Sequence, residues 1–114
     1  MGLFKRKEKV EKLDQKKRNQ NALTSFDKIE YMVIKTASDE QVLEISDKIL
    51  AGYPVLANFE NLDKDEANKL LAFVSGVLYA MDGKILKIQA RMFLLARKEE
   101  FEDGTLYQYY EDLK

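Results

Sequence analysis

Asn61 to Gly83, NLDKDEANKLLAFVSGVLYAMDG, constrains the fold of this chain more than any other stretch. Ala67, Leu70, Leu71, Val74, Val77, Leu78 and Met81 recur three and four apart, so one helix carries them on one face. Asp63 with Glu66 three residues on has the spacing of a capping box, and Asp82-Gly83 supplies a left-handed stop. A helix with that stripe has to bury it, and a sheet is the expected support.

The other face carries a second signal. Ala72, Gly76 and Ala80 sit four apart with Phe73 beside them. Glycine inside a helix costs about 1 kcal/mol relative to alanine, and small residues at this spacing let two helix backbones approach closely. The pattern predicts a docked second helix from another subunit; the alternative is that Gly76 relieves a clash within one domain.

The chain of 114 residues has room for one domain, and a core of that size gains from an oligomer interface. It contains neither Cys nor His, which excludes disulfides, thiolate or imidazole metal sites, Cys nucleophiles and Ser-His-Asp catalysis. No cofactor or metal is expected, and no enzyme. No apolar run reaches the roughly 18 residues of a membrane span, and no signal-peptide core follows Met1. Charge is uneven: residues 1–18 hold eight Lys/Arg against three Asp/Glu, whereas residues 19–114 hold 11 against 17.

Residues 1–13, MGLFKRKEKVEKL, place Leu3, Val10 and Leu13 on one side of a helical wheel, with Phe4 at its margin and Lys5, Arg6 and Lys7 among the cations on the rest. Such a segment suits the surface of an anionic membrane, where each Lys or Arg gains about 1 kcal/mol. A solvated tail and a nucleic-acid arm are the alternatives, since a basic run alone does not separate lipid from phosphate. Arg6 occupies the place where a myristoylation signal needs Ser or Thr. Residues 14–28 are rich in Asn, Gln and Lys and read as a flexible linker, leaving 29–114 as the folded domain.

Within that domain, Ile29–Thr36 reads as a strand. Ser38 caps a helix whose stripe is Val42, Ile45 and Ile49 and whose stop is Gly52. Pro54–Phe59 is short and apolar throughout, as in a central strand buried on both faces. After the long helix, Lys84–Ala90, Arg91–Arg97 and the aromatic Thr105–Tyr110 read as strands, and the acidic 98–104 as a turn or edge loop. The predicted class is α/β (α+β): a two-layer sandwich of two helices on one mixed sheet of about five strands, dimeric, with one sheet face polar or covered from elsewhere.

No phosphate-binding loop, dinucleotide fingerprint, zincin motif or EF-hand is present. Asp63, Asp65 and Glu66 fit helix capping and the helix dipole better than a cation site. Lys87, Arg91 and Phe93 form a basic and aromatic group that either receives an acidic, apolar peptide or is a surface pair beside a core Phe.

From Ser38 to Arg97 the chain resembles SepF, the bacterial cell-division family that links the tubulin-like FtsZ to the membrane. The resembling residues are Gly52, Val55-Leu56-Ala57-Asn58-Phe59, Ala67, Phe73, Gly76, Tyr79-Ala80, Gly83, Ile85, Ile88 and Phe93-Leu94. Departures stand at Asp82, Gln89 and Arg97, where the family pattern has Gly, Gly and Pro. The resemblance implies a cytoplasmic adaptor, peripheral on the inner face of the membrane at the division site. Its implied partners are FtsZ, itself as a homodimer or higher polymer, and an anionic membrane surface, with no nucleic acid. It also implies lipid contact through Leu3, Phe4, Lys5, Arg6, Lys7, Val10 and Leu13, self-association through Ala72, Phe73, Gly76 and Ala80, and FtsZ-tail binding through Lys87, Arg91 and Phe93. A small nucleic-acid-binding or regulatory module with a basic arm is the competing class.

Overall fold

Helix α2, Lys64–Ala80, is closed at both ends by its own sequence, as expected. The Asp63 carboxylate accepts from the Glu66 amide while the Glu66 carboxylate accepts from the Asp63 amide. At the far end Gly83 N–H donates to Leu78 O and Asp82 N–H to Tyr79 O, the paired bonds of a Schellman stop. The left-handed residue is Asp82, at φ 54°, and not the glycine. Gly83 is needed for a different reason: a Cβ there would lie 2.6 Å from Ala96 O and from a Leu78 methyl.

The structure is a computed structural model and describes residues 23–113. It is built from β1 (Glu30–Val33), α1 (Asp39–Leu50), β2 (Val55–Asn58), α2, β3 (Lys84–Gln89), β4 (Met92–Ala96) and α3 (Thr105–Asp112). Short 3-10 turns at Phe26–Lys28 and Lys98–Phe101 precede β1 and α3. The four strands form one mixed sheet in the order β1-β2-β4-β3, with β1 parallel to β2 and the other pairs antiparallel. β2 is internal and all four of its residues are buried, as its unbroken apolar run predicts.

α1 and α2 cover one face of this sheet. Val42, Ile45 and Ile49 of α1 meet Ala67, Leu70, Val74 and Leu78 of α2 over Val55, Ala57 and Leu95. Leu71 and Met81 of the predicted stripe pack at its margin. α1 is capped by Ser38 Oγ accepting from Gln41 N–H, and it ends with Gly52 at φ 95°. The Ser38–Gln41 spacing, read from the sequence as a capping box, is only half realised, because the Gln41 side chain donates to Glu44 instead.

Thr105–Tyr110 is the first residue of α3 and five that follow it, not a fifth strand, which leaves four strands and three helices among the described residues. Its aromatic composition favours a strand in isolation, but the second face of the sheet needs cover. Leu106 enters a cluster with Leu56, Leu94, Ala96 and Phe101, and α3 provides that cover. Asp103 accepts from the Thr105 amide and hydroxyl at the start of α3, and Gln108 bonds Asp112 one turn on. The acidic 98–104 stretch is likewise packed: Glu100 is 3% exposed and Phe101 is buried.

Residues 24–28, within the stretch read as linker, are tied to this same corner. Ser25 N–H donates to Asp103, Ser25 Oγ to Glu100, and Phe26 N–H to Thr105 Oγ1. Leu3, Phe4, Lys5, Arg6, Lys7, Val10 and Leu13, the expected lipid contacts, lie outside the described residues.

Candidate functional site

The β3–β4 turn and the first turns of α2 enclose a groove of about 280 Å³ lined by Phe59, Lys64, Ala67, Asn68, Leu71, Ala90, Arg91 and Phe93. Its floor is aromatic. Phe59, fully buried after β2, holds Phe93 with ring centroids 5.5 Å apart and planes at 43°. Tilted packing against a buried ring fixes Phe93 while leaving part of it for the groove.

Its rim is cationic. Arg91 is clamped on both sides: its carbonyl accepts from Phe59 N–H at 2.8 Å, and its guanidinium donates to Leu62 O. Lys64 follows the Asp63 cap, and Asn68 and Leu71 follow it at helical spacing along the same side of α2. Among the described residues neither Lys64 nor Arg91 forms an ion pair. An apolar floor beneath two cations and an amide suits a short segment with apolar side chains and carboxylates.

Of the three residues expected at a peptide site, Arg91 and Phe93 line this groove. Lys87 does not; it pairs with Phe93 across the β3–β4 ladder and sits exposed on the outer strand, on the helix side of the sheet. The sequence reading did not assign Phe59, Lys64, Asn68 and Leu71 to this site. The i, i+4, i+7 spacing of the last three beside the apolar stripe is the signal that would have found them.

Ala72, Phe73, Gly76 and Ala80 stand together on the outer face of α2, and all four are exposed. Phe73 is 57% exposed and Tyr79 beside them 86%. A Cβ at Gly76 would meet nothing within 4 Å, so no clash within the described chain calls for glycine there. Asp63 and Glu66 are engaged with one another as a cap, and no group of three or more acidic side chains among the described residues could hold a metal. No helix among those residues is long and apolar enough to cross a membrane.

Comparison with known proteins places residues 32–99 in a family. The family model described as cell division protein SepF matches residues 32–99. Cell division protein SepF of Symbiobacterium thermophilum is 38% identical over 68 residues, which span 60% of this chain and 34% of that protein. The protein of the same name from Caldanaerobacter subterraneus is 37% identical over 68 residues, 60% of this chain and 51% of that one. The chain thus spans about half or less of the length of these two relatives. Among solved structures, a SepF-like protein from Pyrococcus furiosus matches with a TM-score of 0.57 at 17% identity, covering 70% of this chain and 94% of that one. A SepF-like protein from Archaeoglobus fulgidus gives 0.55 at 18%, covering 60% and 83%. At those identities the structures speak for the fold.

Proposed function

The chain belongs to the SepF family of cell division proteins, and from that premise we propose that it is a non-enzymatic adaptor between FtsZ and the cytoplasmic membrane. Its domain takes the C-terminal tail of FtsZ in the Phe93 groove, its basic segment 1–13 rests on the anionic inner leaflet, and copies associate through α2. The observation that carries this reading is the groove itself, a fixed aromatic floor under two cations that no acidic side chain of the described domain neutralises. Lys87, one residue outside it on the same side of the sheet, extends the positive rim along β3.

Two further observations support the other halves. Gly76 and its small neighbours leave a shallow strip on α2 that nothing in the described chain fills, beside the large exposed rings of Phe73 and Tyr79. The cations of segment 1–13 are set against a domain in which acidic residues predominate, so its basic charge is local, as for a membrane contact of modest strength. Weak contacts of this kind gain avidity when an oligomer presents several at once. Nucleic acid is not among the expected partners, and the site of action is the inner membrane face where the cell divides.

Co-sedimentation tests the division of labour. The full chain and residues 14–114 should both pellet with FtsZ filaments, and the full chain alone with anionic liposomes. Failure of both forms to pellet with filaments would remove FtsZ as the partner.

A further inference from the structure

A second groove, of about 320 Å³, lies on the opposite side of the sheet between the Phe26–Lys28 turn and α3. Thr24, Phe26, Thr105, Gln108, Tyr109 and Asp112 line it. Its apolar wall is the pair Phe26 and Tyr109, with centroids 5.3 Å apart. Phe26 remains 47% exposed. The peptide groove uses none of these residues. They are rigidly placed, because Ser25 and Phe26 are hydrogen-bonded to Glu100, Asp103 and Thr105.

We infer that this groove is the resting place of the chain's own basic segment, residues 1–13, when no membrane holds it. The inference rests on the reading of that segment as the lipid contact. Three observations identify the occupant. The groove opens at Thr24, where the segment's tether arrives, and the nine residues 14–22 can extend to about 30 Å, more than the roughly 12 Å length of an eight-residue helix such as α3. The charges match: Asp27, Asp103 and Asp112 flank or line the groove, and the nearest cation of the turn, Lys28, is already paired with Glu100, while the segment carries Lys5, Arg6, Lys7, Lys9 and Lys12. The surfaces match as well, since Leu3, Phe4, Val10 and Leu13 need an apolar partner and the Phe26–Tyr109 wall offers one. A tether this short holds the segment at a millimolar effective concentration, so a contact too weak to form between free partners is populated within one chain.

Lipid and groove then compete for the same residues. Blocking the groove should tighten vesicle binding by the inverse of the free fraction, about 3- to 10-fold if a tenth to a third of the segments are free. The test uses the full chain, whose lack of cysteine permits single nitroxide labels. A label at Glu102→Cys, beside the groove, should broaden the amides of residues 3–13 more than those of 14–20; a label at Glu44→Cys on α1 should not. Gln108→Trp, which fills the groove from an exposed position, should abolish that pattern and lower the half-saturating concentration of phosphatidylglycerol vesicles. Asp112→Lys serves the same purpose should the Trp variant misfold.

Broadening that fades steadily from residue 22 towards residue 1, with vesicle binding unchanged in both variants, overturns the inference. So does broadening from Glu44→Cys instead, or broadening that appears when labelled and isotope-enriched copies are separate molecules. Docking observed in a chain that ignores vesicles would leave the groove assignment standing and remove the membrane reading.

Discussion

Lys28 Nζ lies 2.7 Å from Glu100 Oε1, joining the turn that opens the folded domain to the turn that precedes α3. Arg97 Nε, 3.0 Å away, and Ser25 Oγ complete the surroundings of that buried carboxylate. The acidic stretch 98–104, read from the sequence as a turn or edge loop, is the clasp of the second sheet face.

The clasp is pH-dependent. Burial pushes the Glu100 carboxyl up, but hydrogen bonds from Lys28, Arg97 and Ser25, with the Lys28 charge, outweigh it and hold the group below its ordinary 4.5. A carboxylate depressed in the folded state stabilises above the unfolded pKa, and that contribution is lost as pH falls through the folded one. Glu100→Gln should lower the unfolding free energy by about 1.5–3 kcal/mol at neutral pH, the range for hydrogen bonds to charged groups. Urea unfolding of both proteins should show this gap narrowing below pH 4.5. A gap independent of pH would contradict the assignment.

Two glycines of α2 and its stop should respond in opposite directions. At Gly83 a Cβ collides with Ala96 O and Leu78, so Gly83→Ala should destabilise by roughly 1–3 kcal/mol, as overpacking does. At Gly76 the space is open, so Gly76→Ala should stabilise the isolated domain by up to about 1 kcal/mol through helix propensity. Thermal unfolding of dilute protein checks both.

If that open strip on α2 is where copies meet, Gly76→Lys should abolish self-association while leaving the domain folded. Analytical ultracentrifugation against concentration reads the first property and circular dichroism the second. Unchanged association would move the interface away from α2.

Leu106 measures whether α3 is part of the core. It is fully buried against Leu56, Leu94, Ala96 and Phe101, and its truncation to Ala should cost about 2–5 kcal/mol. A cost below about 0.5 kcal/mol, typical of surface positions, would mean that α3 is an appendage.

What was legible in the sequence was whatever local chemistry alone decides. The capping box of Asp63 and Glu66, the stops at Gly52 and Asp82-Gly83, and the buried run of β2 all depend on near neighbours, and each appears where its pattern predicts. Thr105–Tyr110 misled because β-branched and aromatic residues favour strands, whereas its conformation is decided by an uncovered sheet face distant in sequence. Glu100 was hidden for the same reason: a carboxylate within an acidic run looks solvated until Lys28 and Arg97 are brought to it. At the Phe93 groove Arg91 and Phe93 were visible as a basic-aromatic pair, but Lys64 and Asn68 join them only once α2 is laid across the sheet.

The central claim, that the Phe93 groove receives the FtsZ tail, is tested most directly by titrating a labelled FtsZ C-terminal peptide against the parent chain and Lys64→Glu by fluorescence anisotropy. Lys64 is an exposed rim residue with no ion pair among the described residues, so reversing its charge should leave the fold intact. We expect the affinity to fall by roughly 10-fold or more, equivalent to about 1.4 kcal/mol, and the parent's affinity to weaken with added salt. Equal affinity of both proteins for the peptide would contradict the assignment of this groove.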